Sequence, residues 1–201
     1  MTTIRLNYSF VLISLAIVLT LSGSAFASKN ANFPNIKIKN FGQMDDRFYR
    51  GAQPSEEDFK DLASLGIRTV IDLRDDPQSY EKRDVEALGM RYVNIPMSDT
   101  NYPKNDVAEQ FLKLVDDSST GKFFVHCAGG RHRTGVMGAV YRFNHYHWNF
   151  DQVYAEMKDY DFYTRFGHGE MKKFVEDYSQ RPQTTPIAAV QGAATSATKQ
   201  R

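Results

Sequence analysis

The 201-residue chain carries 25 Lys+Arg against 24 Asp+Glu. So even a balance gives no electrostatic basis for binding nucleic acid or a membrane surface, and any pull on an anionic partner has to be local. Its one cysteine excludes a disulfide within the chain, which leaves that thiol either an inert buried group or a chemically used one.

Read in chain order, the first 27 residues form a secretory signal: Arg5, an apolar run from Phe10 to Leu21, then Ala25-Phe26-Ala27 as the cleavage site. The run is shorter than the roughly 20 apolar residues of a membrane span, which favours cleavage over the alternative of a retained anchor. The expectation is an exported, periplasmic or secreted protein that starts at Ser28 and has no stable membrane association. Cleavage removes one basic side chain, Arg5, and leaves Lys+Arg and Asp+Glu level at 24.

Ser55 to Asp58 after Pro54 has the form of a helix start, and Phe59, Leu62 and Ala63 mark the apolar face of a helix that Gly66 ends. Ile67 to Leu73 is a β-branched strand, Tyr80 to Leu88 a second helix, and Met90 to Ile95 a second strand. Val107, Phe111 and Val115 fall at helical spacing, and Lys122 to His126 is a short apolar strand of the kind buried on both faces. Val136, Val140 and Phe143 recur at helical spacing, and Val153 with Met157 and Met171 to Tyr178 supply two closing helices. Strands alternating with helices predict an α/β fold with a mainly parallel sheet flanked by helices, in one domain over residues 28–180. Residues 181–201, rich in Ala, Thr, Gln and Pro with no apolar period, read as a disordered tail.

The chemistry concentrates in His126-Cys127-Ala128-Gly129-Gly130-Arg131-His132-Arg133-Thr134-Gly135, between a predicted strand and a predicted helix. A loop at a helix N-terminus aims unpaired backbone N–H groups at one point, with the helix dipole behind them. Gly129 and Gly130 let the backbone curl into a nest for a tetrahedral dianion, to which Ala128 also contributes. In that setting Cys127 becomes a thiolate nucleophile. Arg133 can grip two phosphate oxygens, and Thr134 can donate a hydrogen bond to the sulfur. Arg131 and His132 are candidates to face substrate and add positive charge.

A departing oxygen also needs a proton, and Asp99 in the loop after the second strand is the candidate general acid, with Asp106 in reserve. His126 is expected to buttress the loop through backbone hydrogen bonds. Arg74 either lines the pocket or sits in an exposed ion pair. His145 and His147 lack the i, i+4 spacing of a helical metal pair and are not expected to hold a metal; no cofactor is expected. The aromatic run Tyr160 to Phe166 is assigned to packing.

With these residues in place, the chain resembles the cysteine-based protein tyrosine phosphatase superfamily, whose loop is Cys-x5-Arg-Ser/Thr. The likeness runs from about Phe41 to Tyr178 and is greatest to plant-and-fungal-type atypical dual-specificity phosphatases and their bacterial relatives. Phe41 to Gly51 is similar to the family's opening segment, and Gly66 to Arg74 to its first helix-to-strand stretch. Arg131 stands where lysine is usual, which keeps the charge and changes the donor geometry. The resemblance implies a metal-free reaction in two steps: Cys127 takes the phosphoryl group, Arg133 stabilises it, and Asp99 donates and then accepts the proton. The same subgroup includes enzymes acting on inositol pyrophosphates.

The expected substrates are therefore a phosphorylated protein or a small polyanionic phosphate ester. A rhodanese-like sulfurtransferase is a third reading, although its loop usually has one residue fewer before the arginine. A non-catalytic phosphate-binding module is a fourth, disfavoured because nucleophile, arginine and acid are all present.

Overall fold

The computed structural model describes residues 28–29 and 33–181; the expected signal segment and the tail after Arg181 lie outside the described residues. The strands are β1 (Ser28–Lys29), β2 (Gly42–Gln43), β3 (Phe48–Ala52), β4 (Ile67–Arg74), β5 (Arg91–Met97) and β6 (Lys122–Cys127). They form one sheet in the order β1-β2-β3-β6-β4-β5. The β3–β6, β6–β4 and β4–β5 ladders are parallel, and the two at the N-terminal edge are antiparallel. The mainly parallel α/β expectation holds. Pro96, which lacks an N–H, sits in β5 at the other sheet edge, where one ladder is enough.

Side chains along these strands alternate between two cores. Phe48, Ile71, Leu73, Phe123, Val125 and Cys127 point to one face, while Tyr49, Val70 and Phe124 point to the other. The first face is covered by α3 (Asn105–Asp116), α4 (His132–Tyr141), α5 (Phe150–Asp159) and α6 (Gly169–Ser179). The second is covered by α1 (Asp58–Ser64) and α2 (Glu81–Ala87). β6, flanked by β3 and β4, therefore delivers Cys127 to the middle of the sheet, on the four-helix side.

The helices begin and end close to their predicted limits, and the Asp58 carboxylate accepts from both the N–H and the hydroxyl of Ser55 at the start of α1. β2 and β3 were not expected, because Arg50 and Gly51 interrupt any apolar pattern in Phe48–Ala52. After α4 the chain widens into a π-helical turn, Arg142–Tyr146, which takes in the predicted helical Phe143. Arg142, fully buried, packs there against the Tyr146 and Trp148 rings and forms an ion pair of 2.7 Å with Glu156.

Candidate active site

The chain leaves β6 at Cys127 and re-enters a helix at His132, so the predicted loop does join a central strand to the N-terminus of a helix. Three successive loop carbonyls are pulled outward by the N-terminal part of the chain. The Gln53 N–H donates to Ala128 O at 3.3 Å, Asn40 Nδ2 to Gly129 O at 3.0 Å, and Arg50 Nη2 to Gly130 O at 2.7 Å. In a trans peptide the N–H lies opposite the carbonyl, so the N–H groups of Gly129, Gly130 and Arg131 point away from these anchors, and that of Gly129 reaches the Cys127 sulfur. Arg50 is wholly buried with its guanidinium 3.9 Å from the centre of the Tyr160 ring.

A pocket of about 180 Å³ opens over this loop, lined by Asp99, Cys127, Ala128, Gly129, Arg131, His132, Arg133, Tyr163 and His168. Cys127 is only 3 % exposed, yet it is part of that lining and is not sealed in hydrocarbon. Burial alone would push its thiol up. The Thr134 hydroxyl and N–H, the Arg133 charge and the Gly129 N–H outweigh burial and hold the thiol below the ordinary range. Among the described residues, the Thr134 hydroxyl has no hydrogen-bond partner besides this sulfur. Arg133 is held from behind: its Nη1 donates to Asp75 Oδ1 at 2.8 Å and to Met97 O at 3.1 Å.

Of the predicted site residues, the structure gathers Cys127, Ala128, Gly129, Arg131, Arg133, His132 and Asp99 around one pocket, with Gly130 and Thr134 supporting it from the loop. His132 needs a correction. It is buried, its Nε2 lies 3.1 Å from Tyr163 O, and burial together with neighbouring His168 pulls its pKa down to about 4. It is neutral near pH 7 and adds no positive charge. Asp106 is exposed in the first turn of α3 and does not line the pocket.

His126 is also corrected. Its ring makes no hydrogen bond to the loop backbone; it lies on the opposite face of the sheet from Cys127, stacked on Phe124 and 2.7 Å from Glu81 Oε1. Arg74 is buried rather than exposed, and it forms an ion pair with Asp76 and donates to Gln53 Oε1. Among the described residues, the grouping with ligand atoms close enough for a metal is Asp72, Glu81 and His126. Those groups already serve one another and their neighbours: Asp72 accepts from Tyr92 Oη and the Arg74 N–H, and Glu81 from Gln53 Nε2. His145 is paired with Asp116, and His147 sits at a left-handed position after the π turn.

The sequence reading missed Asn40, Arg50, Gln53, Asp75, Tyr163 and His168. A charged residue in the otherwise apolar Phe48–Ala52 was the one signal available for Arg50. His168, between two glycines in an aromatic loop, was the signal for the far wall.

Over residues 28–177 the chain matches a protein-family profile described as "DSP-PTPase phosphatase fused to NAD+ Kinase". The chain belongs to that family. It is a cysteine-dependent phosphatase of the protein tyrosine and dual-specificity type. The probable tyrosine-protein phosphatase DG1060 of Dictyostelium discoideum is 29% identical over 145 residues, covering 69% of this chain and 82% of the relative. The chain spans about half the length of the inositol diphosphatase DSP3 of Arabidopsis thaliana, which it also matches at 30% identity. Among solved structures, the core catalytic domain of the PP-IP phosphatase SIW14 from S. cerevisiae superposes with a TM-score of 0.63 at 19% identity, covering 79% of this phosphatase and 94% of that chain. P. aeruginosa TpbA, solved in complex with pTyr, gives 0.56 at 21% identity, covering 87% and 99%. At such identities these two structures speak for the fold of the phosphatase.

Proposed function

We propose that this phosphatase hydrolyses phosphotyrosine in proteins through a phosphocysteine intermediate formed on Cys127. The sulfur of the thiolate attacks phosphorus as the bond to the tyrosine oxygen breaks, and Asp99 gives its proton to that oxygen. Water then attacks phosphorus, Asp99 takes the proton, and the sulfur leaves as thiolate. Arg133 and the N–H groups of Gly129, Gly130 and Arg131 hold the phosphoryl oxygens through both steps. The observation that carries this reading is the Cys127 thiol, held below its ordinary range at the floor of a pocket that Arg133 and Asp99 also line. The Tyr163 ring forms part of the wall and suits a phenyl group.

Arg131 in the same lining favours a second reading, a small polyanion such as an inositol polyphosphate or pyrophosphate. Turnover of a phosphotyrosine peptide and of inositol polyphosphates, measured side by side, separates the two. Cys127→Ser is expected to abolish turnover while vanadate still binds; full hydrolytic activity in that variant would overturn the mechanism. Residues 1–27 act as a signal for export, and N-terminal sequencing of the protein recovered from its host should begin at Ser28. A retained Met1 would refute that.

A further inference from the structure

The segment between α5 and α6 reaches across the mouth of the pocket. It is fixed first to the catalytic loop, because His132 Nε2 contacts Tyr163 O at 3.1 Å and the Phe162 and Tyr163 rings pack edge-on against His132. Phe166 and Gly167 then adopt φ values of +57° and +88°, so the backbone doubles back through two left-handed residues. This turn brings the His168 ring parallel to His132 at 3.5 Å and aims its Nδ1 at Asp99 O, 2.7 Å away. A carbonyl only accepts, so Nδ1 carries the proton. Directly beside this bond, a Cβ on Gly167 would stand 3.1 Å from Thr100 Cγ2, so the two loops touch backbone to side chain as well.

Elsewhere the Asp99 loop is held at its two ends, by Met97 O, which accepts from Arg133 Nη1, and by Tyr102, whose hydroxyl donates to Asp177 and whose ring packs edge-on against Phe174. Within the loop, Ser98 Oγ accepts from the N–H groups of Thr100 and Asn101, which shapes the turn but ties it to nothing outside itself. The His168 bond is the side-chain link from the Asp99 peptide to the rest of the pocket wall.

We propose that His168 is a positioning residue for the general acid: by donating to Asp99 O while stacked on His132, it fixes the acid loop relative to the catalytic cysteine. The proposal rests on the phosphatase mechanism above, with Asp99 as the acid. It predicts a specific kinetic signature. A general acid matters most when the leaving oxygen is a strong base, so loosening it should penalise poor leaving groups and spare good ones.

The experiment measures kcat/KM for wild type, Asp99→Asn, His168→Ala, His168→Asn and His168→Gln on aryl phosphates whose phenols span acidic to weakly acidic. Vanadate affinity is measured in parallel. Asp99→Asn should make the dependence on leaving group steep. His168→Ala should lose about tenfold on the poorest leaving group and less than about twofold on the best, with vanadate binding unchanged. Asn places an amide N–H where Nδ1 stood and should restore most of the loss, whereas Gln, whose amide extends toward the Nε2 position, should not. The proposal is overturned if His168→Ala keeps the wild-type slope, if Asn fails to rescue, or if Asp99→Asn leaves the slope unchanged. It is also overturned if His168→Ala slows all substrates alike and weakens vanadate binding, the mark of a merely structural role. Failure of the wild-type protein to hydrolyse any member of the series would instead remove the phosphatase mechanism itself.

Discussion

Gly130→Ala is the sharpest single test of how the phosphate-binding loop is built. Gly130 has φ +65°, and a Cβ there would lie 2.5 Å from Gly51 C and 2.6 Å from both Ala52 N and Gly51 O. All three are backbone atoms of β3, so no side chain can swing aside. The left-handed conformation costs an alanine about 1–2 kcal/mol, and forcing the loop away from the strand adds roughly 1–3 kcal/mol. The variant is therefore expected to lose about 2–5 kcal/mol of stability, the sum of those two costs. The same displacement pulls Gly130 O from Arg50 Nη2, now 2.7 Å away, and releases the Gly130–Arg131 peptide, whose N–H is proposed to hold a phosphoryl oxygen. Each charge-assisted hydrogen bond lost should weaken an oxyanion by at least tenfold, about 1.4 kcal/mol. Urea unfolding gives the first number and vanadate titration the second. If Gly130→Ala unfolds at the wild-type urea concentration and binds vanadate equally well, the account of this loop is wrong.

Three further outcomes follow from buried polar groups. Thr134→Ala should raise the Cys127 thiol pKa and move the acid limb of kcat/KM to higher pH, which the pH dependence of iodoacetamide alkylation reads directly. Asp45 is partly desolvated, which pushes its carboxyl up, but hydrogen bonds from Tyr141, the Phe48 and Arg47 N–H groups and Tyr146 outweigh this and hold it low. A depressed folded-state pKa stabilises above the unfolded value near 4 and is lost as pH falls through the folded value, so Asp45→Asn should flatten the acid side of the stability curve. Glu156→Ala strands the fully buried Arg142 charge and should cost about 3–5 kcal/mol in chemical denaturation.

The parts of this fold legible in the sequence are those that local patterns encode. The apolar runs of β4 and β6, the helical spacing of Val107, Phe111 and Val115, and the strand-loop-helix setting of Cys127 all appear as read. β3 was hidden because its buried positions include Arg50, a residue with a structural task that only the folded loop reveals. His132 was misjudged for a similar reason. As a loop histidine it looked available for charge, but its burial comes from Tyr163 and His168, which the chain supplies from beyond α5. Asp99 was recognised by its residue type and its loop, whereas the partner that holds it lies 69 positions away, a spacing no periodicity marks.

The tethering of Ala128, Gly129 and Gly130 by Gln53, Asn40 and Arg50 has a consequence for how the enzyme comes into being. The signature sequence is synthesised long after the residues that shape it, and it becomes a receptor only when the ends of β3 and β6 are zipped side by side. A fragment carrying the whole Cys-x5-Arg motif but lacking residues 40–53 would own every reactive atom and still have no cup to put phosphate in. Catalytic competence in this chain is thus a report on the completed sheet.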